Sequence, residues 1–287
     1  MSMDLLQEKI RKLKCPLVVD LSVKQEHIPA HICGDRSHLE SYTIFCLELM
    51  EALKGVVPAV RFSFDQLALM GGLEVLSKLV ERARDLGYYV MLDAPAVNTP
   101  WAAERAAGIL AEGSAYPCHC LIADPYIGSD AIRPFLPACK EGKAVFFSVR
   151  TPNKSAVELQ DLMTGSRLVH LAAADLVNRH GESIVGKCGY SHVGVLTAAT
   201  NANAVSGLRG KYNRMFLLVD GMDYPGGNGK ICSFGFDKFG HGCAISVGPA
   251  VTAAWKEAES EGYDFAQQAV RAAERIRNNL TRYFTIL

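Results

Sequence analysis

A single (β/α)8 barrel, one domain over residues 1–287, is the fold this sequence predicts, and three observations predict it. The chain has 287 residues, and a barrel of this kind takes roughly 250, often more with insertions. Eight short apolar runs alternate with longer segments, most of them at helical spacing, which is the order of parallel strands joined by helical crossovers. The runs are continuous in Val, Ile, Leu and Phe, as suits strands buried on both faces. An open, doubly wound sheet is the alternative, but no glycine-rich turn follows the first run.

In chain order, residues 1–14 mix charge with leucine at helical spacing and lack the apolar core of a signal peptide. Strands are read at 17–20, 57–62, 88–93, 119–124, 144–149, 193–198, 215–220 and 243–247, each of strand length and rich in Val, Ile, Leu and Phe. Amphipathic helices are read between them at 39–53, 73–86, 101–111, 131–139, 167–178 and 202–208, and a last one at 265–280 closes the ring. No segment is of low complexity and no internal repeat appears.

Composition narrows the function classes. The chain is 49% hydrophobic and 21% charged, ordinary for a soluble domain. Its formal net charge is +0, from 30 basic and 30 acidic residues. Nucleic acid and anionic membranes are met by a basic excess, so neither is an expected partner. No apolar run approaches the ~20 residues of a membrane span. The 9 cysteines are odd in number and scattered, which argues for reduced thiols and a cytosolic protein. In Cys118-His119-Cys120, strand alternation would put both cysteines on one face and the histidine on the other. That suits packing better than zinc, which wants convergent ligands.

Barrel sites are built where strands end, at the C-terminal face. That rule selects Asp20, Arg61, Asp93, Asp124, Arg150, Thr151, Asp220 and Ser246. Any one alone reads as a solvated loop residue or a helix cap. Several aspartates ending core strands together read as a shared polar mouth.

A long ordered series of motifs then appears between Ile122 and Thr200. It runs Asp124-Pro125-Tyr126-Ile127-Gly128-Ser129-Asp130, Arg133-Pro134-Phe135, and Arg150-Thr151-Pro152-Asn153-Lys154-Ser155. Leu159-Gln160-Asp161-Leu162, Thr164-Gly165, Gly189-Tyr190-Ser191, Val193-Gly194 and Ala198-Ala199-Thr200 follow. Val57-Pro58-Ala59-Val60 and Gly226-Gly227 extend it towards both ends. In order and spacing this resembles the longer-chain bacterial subgroup of the orotidine 5′-monophosphate decarboxylase family. The resemblance implies the same barrel, a homodimer with sites at the subunit interface, and a reaction without any cofactor. It implies ligand contacts at Asp124, Arg150, Thr151, Asn153, Gly226 and Gly227, the last two as a backbone cradle for an anion.

That reaction releases carbon dioxide from a pyrimidine and leaves negative charge on a ring carbon. A lysine must protonate this carbon, and grip on the distant phosphate supplies much of the rate. Measured against the resemblance, the chain departs at both ends. Asp20 and Asp93 are kept, but the lysine ending the second strand corresponds to Arg61. In the family's D-x-K-x-x-D, the catalytic lysine corresponds to Pro95 and the second aspartate to Asn98, and a following threonine to Ala102. The glutamine before the paired glycines corresponds to Pro225, and the phosphate-binding arginine to Pro249. Asp20, Asp93 and Arg61 are thus remnants of a catalytic site.

Asp124 and Asp220 stand where the family has asparagine and proline. The added acids make Asp20, Asp93, Asp124 and Asp220 candidate ligands for a hard cation, against the plainer expectation that they pair with Arg61 and Arg150. Three functions stay open. One is a divergent barrel, inactive or nearly so on orotidylate, that binds another small ligand or acts as a partner subunit. Another is an enzyme of altered, metal-assisted chemistry. The last is a working decarboxylase of pyrimidine (UMP) biosynthesis whose lysine is supplied by Lys24 or Lys154.

Overall fold

A computed structural model describes residues 1–258 and 260–287. Eight parallel strands close into a barrel: β1 (Leu17–Asp20), β2 (Ala59–Ser63), β3 (Tyr89–Asp93), β4 (Cys120–Ala123), β5 (Ala144–Ser148), β6 (Val193–Ala198), β7 (Leu217–Asp220) and β8 (Cys243–Val247). Each pairs with its sequence neighbours, and β1 pairs with β8. All eight expected strands are present, and their ends move by no more than two residues.

The twofold period of each strand sorts its side chains. Val19, Val60, Val90 and Val145 point outward into the main core beneath the helices. Inward positions near the strand starts are apolar and fully buried, among them Ala59, Tyr89, Cys120, Phe146 and Phe216. Gly194 is needed here, because a Cβ on it would lie 2.5 Å from the Phe216 carbonyl oxygen and 2.7 Å from the Phe146 ring. Two or four residues further on, the same inward faces carry Asp20, Arg61 and Asp93, with Asp220 and Ser246 beside them. Register sets Asp20 opposite Arg61, Ser63 opposite Asp93, and Ala198 opposite Asp220.

Helix α1 (Ser2–Leu13) closes the opposite end. Its Met3, Leu6 and Ile10 enter the interior cluster, each contributing about 1.5–3 kcal/mol by burial. The Ser2 hydroxyl bonds the Tyr89 hydroxyl at 2.6 Å, and Asp4 accepts from the Cys188 N–H at 2.7 Å. The outer ring contains α2 (His38–Leu53), α3 (Leu73–Asp85), α4 (Pro100–Ala107), α5 (Leu136–Lys140), α6 (Val169–Gly181), α7 (Ala202–Lys211), α8 (Gly229–Ser233) and α9 (Phe265–Leu280). Ser37 and Glu40 form a reciprocal capping box on α2. Among the described residues no helix is long and apolar enough to cross a membrane.

Four expectations need correction. The helix read at 131–139 is in three pieces, a short helix at Ser129–Ile132, a tighter turn at Arg133–Phe135 and α5, because Pro134 and Pro137 offer no backbone N–H to carry one helix through. The helix read at 167–178 starts at Val169, because Arg167–Leu168 pairs antiparallel with Met163–Thr164 across Gly165 at φ 63°. The helix read at 101–111 ends at Ala107, and a tighter turn, Gly108–Leu110, completes it. Cys118 and Cys120 do not share a face: Cys118 joins the outer core and Cys120 the interior. The Cys118 N–H turns back to the Tyr116 carbonyl at 2.6 Å, so strand alternation has not begun at that residue.

Candidate functional site

The mouth is organised by one arginine. Arg61 rises inward from β2 and is 9% exposed. Its Nε and Nη2 donate to the two carboxylate oxygens of Asp93 at 2.8 and 3.0 Å, a bidentate pair. Nη1 donates to Asp220 and to the Ser246 hydroxyl, both at 3.1 Å, and lies 3.6 Å from Asp20. Four strands therefore meet on one guanidinium. Burial alone would weaken the Arg61 charge, but Asp93, Asp20 and Asp220 hold its pKa well above the ordinary value. Burial pushes the Asp93 carboxyl up to about 6; Arg61 pulls it down, and Asp20 and Asp220 repel its charge.

Above this cluster lies a cavity of about 410 Å³. Its charged lining is Asp20, Arg61, Asp93, Asp124 and Asp220, and Pro95, Val97, Ile122 and Leu196 supply apolar wall. No lysine lines it among the described residues. Lys24 and Lys154 are exposed and outside it, as is Asn98. Asp124 accepts from the Tyr126 N–H at 2.9 Å, and burial raises its carboxyl above the usual range. Among the described residues no group of three or more His, Cys, Asp or Glu side chains is arranged to hold a metal ion. The guanidinium of Arg61 already stands between three of the four aspartates considered as ligands.

Of the remaining selected residues, only Thr151 lines this cavity. Arg150 is 4% exposed and bonds both Asp161 oxygens, at 3.0 and 2.9 Å. Its Nη1 reaches the Thr151 carbonyl and the Thr200 hydroxyl. His170 and Asn201 also approach Asp161, at 3.1 and 3.4 Å. The Arg150 bonds hold the Asp161 carboxyl below the ordinary range, against a burial effect that raises it. Arg150 thus braces the loop after β5 and does not line the cavity, whereas Thr151 does. The Thr151 hydroxyl and Asn153 bond each other at 2.5 Å on that loop. Gly226 is exposed at φ 93°, and the Gly227 N–H is bonded to the Tyr224 carbonyl at 2.9 Å. A Cβ on Gly227 would lie 2.1 Å from the Gly221 carbonyl oxygen, so this pair shapes a tight turn.

Sequence reasoning did not select Ser148, Tyr224 or Asp223. Ser148 ends β5 and was open to the same strand-end rule. Asp223 lies beyond β7 in an irregular loop and carried no periodic signal. Its Oδ2 accepts from the Gly248 and Ala250 N–H groups at 3.1 and 3.4 Å.

No family model matches the chain. It is 29% identical over 245 residues to a protein of Rhodopirellula baltica named orotidine 5′-phosphate decarboxylase, covering 81% of each. A protein of that name from Caldicellulosiruptor saccharolyticus is 25% identical over 298 aligned positions, 96% of this chain and 97% of that one. Among solved structures, the OMP decarboxylase of Leishmania donovani superposes with TM-score 0.71 at 22% identity, covering 96% of this chain and 99% of that one. The orotidine 5′-monophosphate decarboxylase of Plasmodium berghei gives 0.77 at 13% identity, covering 98% and 99%. The structures share the barrel, and the sequence relatives extend the likeness to most of the chain. This protein is thus a homologue of proteins named orotidine 5′-phosphate decarboxylase, built on the same single closed barrel.

Proposed function

We propose that this chain is a divergent orotidylate-decarboxylase-like barrel that is inactive or nearly so on orotidylate and takes another small ligand in its mouth. The observation that carries the reading is Arg61, held by Asp93, Asp220 and Asp20 at the base of a cavity with no lysine among its described lining residues. Decarboxylation of orotidylate leaves charge on carbon, which an acid must quench. A guanidinium keeps its proton in proteins and cannot serve. Pro95, at the position matched to the catalytic lysine, has no proton to give.

The charge balance of the mouth points the same way. Four carboxylates and one guanidinium line the mouth, and a phosphate dianion meets repulsion there. Pro225 and Pro249, at the positions matched to phosphate-binding residues, offer neither charge nor backbone N–H. The favoured ligand is small, partly apolar, and neutral or cationic. Its binding place is the cytosol, and the protein works as a homodimer.

The test is direct. Purified protein given orotidylate should show no loss of substrate absorbance above the uncatalysed rate. Robust turnover overturns the proposal. It would establish instead the reading that the relatives' names favour, a working decarboxylase of UMP biosynthesis.

A further inference from the structure

Building on the reading of the mouth as a site for another small ligand, we propose that Asp124 selects that ligand and that its class is a cation with an N–H-rich head, such as an amidinium. Four carboxylates and one guanidinium line the cavity. Three of the carboxylates already share that guanidinium. Asp93 binds it through both oxygens, Asp220 through Oδ2, and Asp20 stands 3.6 Å from it. Their other acceptors are engaged as well: Asp220 Oδ1 takes the Gly221 N–H and Asp20 Oδ1 the Ser22 N–H, both at 2.8 Å. Asp124 differs. None of the ion pairs among the described residues involves it. Its Oδ1 accepts from the Tyr126 N–H at 2.9 Å, which leaves Oδ2 for a donor that a ligand brings.

Position explains why Arg61 does not serve this fourth acid. β3 stands between the strand of Arg61 and β4, which Asp124 follows. Ala123 lies in register with Phe147, so the next residues, Asp124 and Ser148, come side by side at the ends of β4 and β5. Both line the cavity, and the Ser148 hydroxyl adds a second polar group to the same wall. Partial burial raises the Asp124 carboxyl, the Tyr126 N–H lowers it, and no cation does. A carboxylate short of water and without a countercharge is best offset by a partner that brings both charge and donors. Val97, Ile122 and Leu196 form buried apolar wall in the same cavity, which suits a flat hydrocarbon body behind the charged head. The resemblance places asparagine at this position. Asparagine has the same shape without the charge, so the aspartate adds selection by charge and leaves the space unchanged.

The test titrates benzamidine, and benzamide as its neutral near-isostere, into the full chain at pH 7 and constant ionic strength, read by calorimetry. Benzamidinium should bind saturably and at least about tenfold more tightly than benzamide, the ratio expected when a hydrogen bond gains a charge. In Asp124→Asn, which keeps an acceptor for the Tyr126 N–H, the two probes should bind alike. Asp20→Asn changes a carboxylate already beside Arg61 and should keep the preference. A wild type that binds neither probe, or both equally, overturns the proposal. So does a preference that survives in Asp124→Asn, or one that is lost in a folded Asp20→Asn, which decides the matter even if Asp124→Asn does not fold. Orotidylate turnover is read in a separate assay. Active protein defeats the proposed function, whereas a missing preference in protein without turnover refutes the role of Asp124 alone.

Discussion

Arg61 is engaged on every side of its guanidinium, and this makes it the most consequential single residue of the mouth. Removing one partner of a buried ion pair costs about 3–5 kcal/mol, because the other charge is left uncompensated. Arg61→Met leaves Asp93, Asp20 and Asp220 facing each other without a cation. We expect it to lose stability of that order, measured as a lower urea midpoint at pH 7. A variant as stable as the wild type at that pH would show that the aspartates are solvated. The Asp93 carboxyl, pushed up to about 6 by burial, gives a second expectation. Between the ordinary carboxylate range and about 6, the folded chain keeps a proton on Asp93 that the unfolded chain has released. Stability from this group is therefore full in acid and is lost as pH rises through that window. Subtracting the profile of Asp93→Asn from that of the wild type should leave a fall from pH 4 to 6 and a plateau above. A difference that instead rises with pH would mean that Arg61, and not burial, sets the Asp93 charge.

At the scale of elements, legibility followed the range of the interaction that shapes each piece. The strands could be read because burial on both faces leaves continuous apolar runs, and strand ends such as Asp20, Arg61, Asp93 and Asp220 carried the mouth with them. What decides the Arg150 side chain is the return of the chain to Asp161 and His170, a pairing that no periodicity records. The hairpin at Met163–Thr164 and Arg167–Leu168 is likewise too short to show an alternation. Helix α8, with five residues, is too short for an amphipathic period, although Asn228 caps it through the Ile231 N–H at 3.0 Å. Asp223 was hidden for a related reason: its partners, Gly248 and Ala250, are 25 and 27 residues away and contribute only backbone.

For the whole molecule, the rim of the mouth leaves apolar surface that one copy of the chain does not cover. Trp101, at the start of α4, is 64% exposed, with the Arg105 guanidinium 4.6 Å from its ring. It borders a cavity of about 320 Å³ formed with Phe64, Pro95, Ala96 and Tyr116. Pro100 occupies the first turn of α4, where its missing N–H is harmless, and Thr99 caps the Ala102 N–H at 3.1 Å. The tryptophan is therefore presented on a firmly started helix beside the loop after β3. On the loop after β5, Leu159, Leu162 and Met163 add further exposed apolar area. Aromatic anchors in such pockets carry much of the energy of association, and a stable interface needs above roughly 1,000 Å² of buried surface. A homodimer that buries the Trp101 face supplies such an anchor without using the charged mouth itself. We expect the wild type to sediment as a dimer at micromolar concentration, and Trp101→Ala to dissociate at least about tenfold more readily, the loss that truncating an anchor worth more than about 1.4 kcal/mol produces. A monomeric wild type refutes the dimer. A mutant dimer as tight as the wild type moves the interface away from α4, and cross-linking through a cysteine introduced at Leu159 would then show whether the loop after β5 carries it instead.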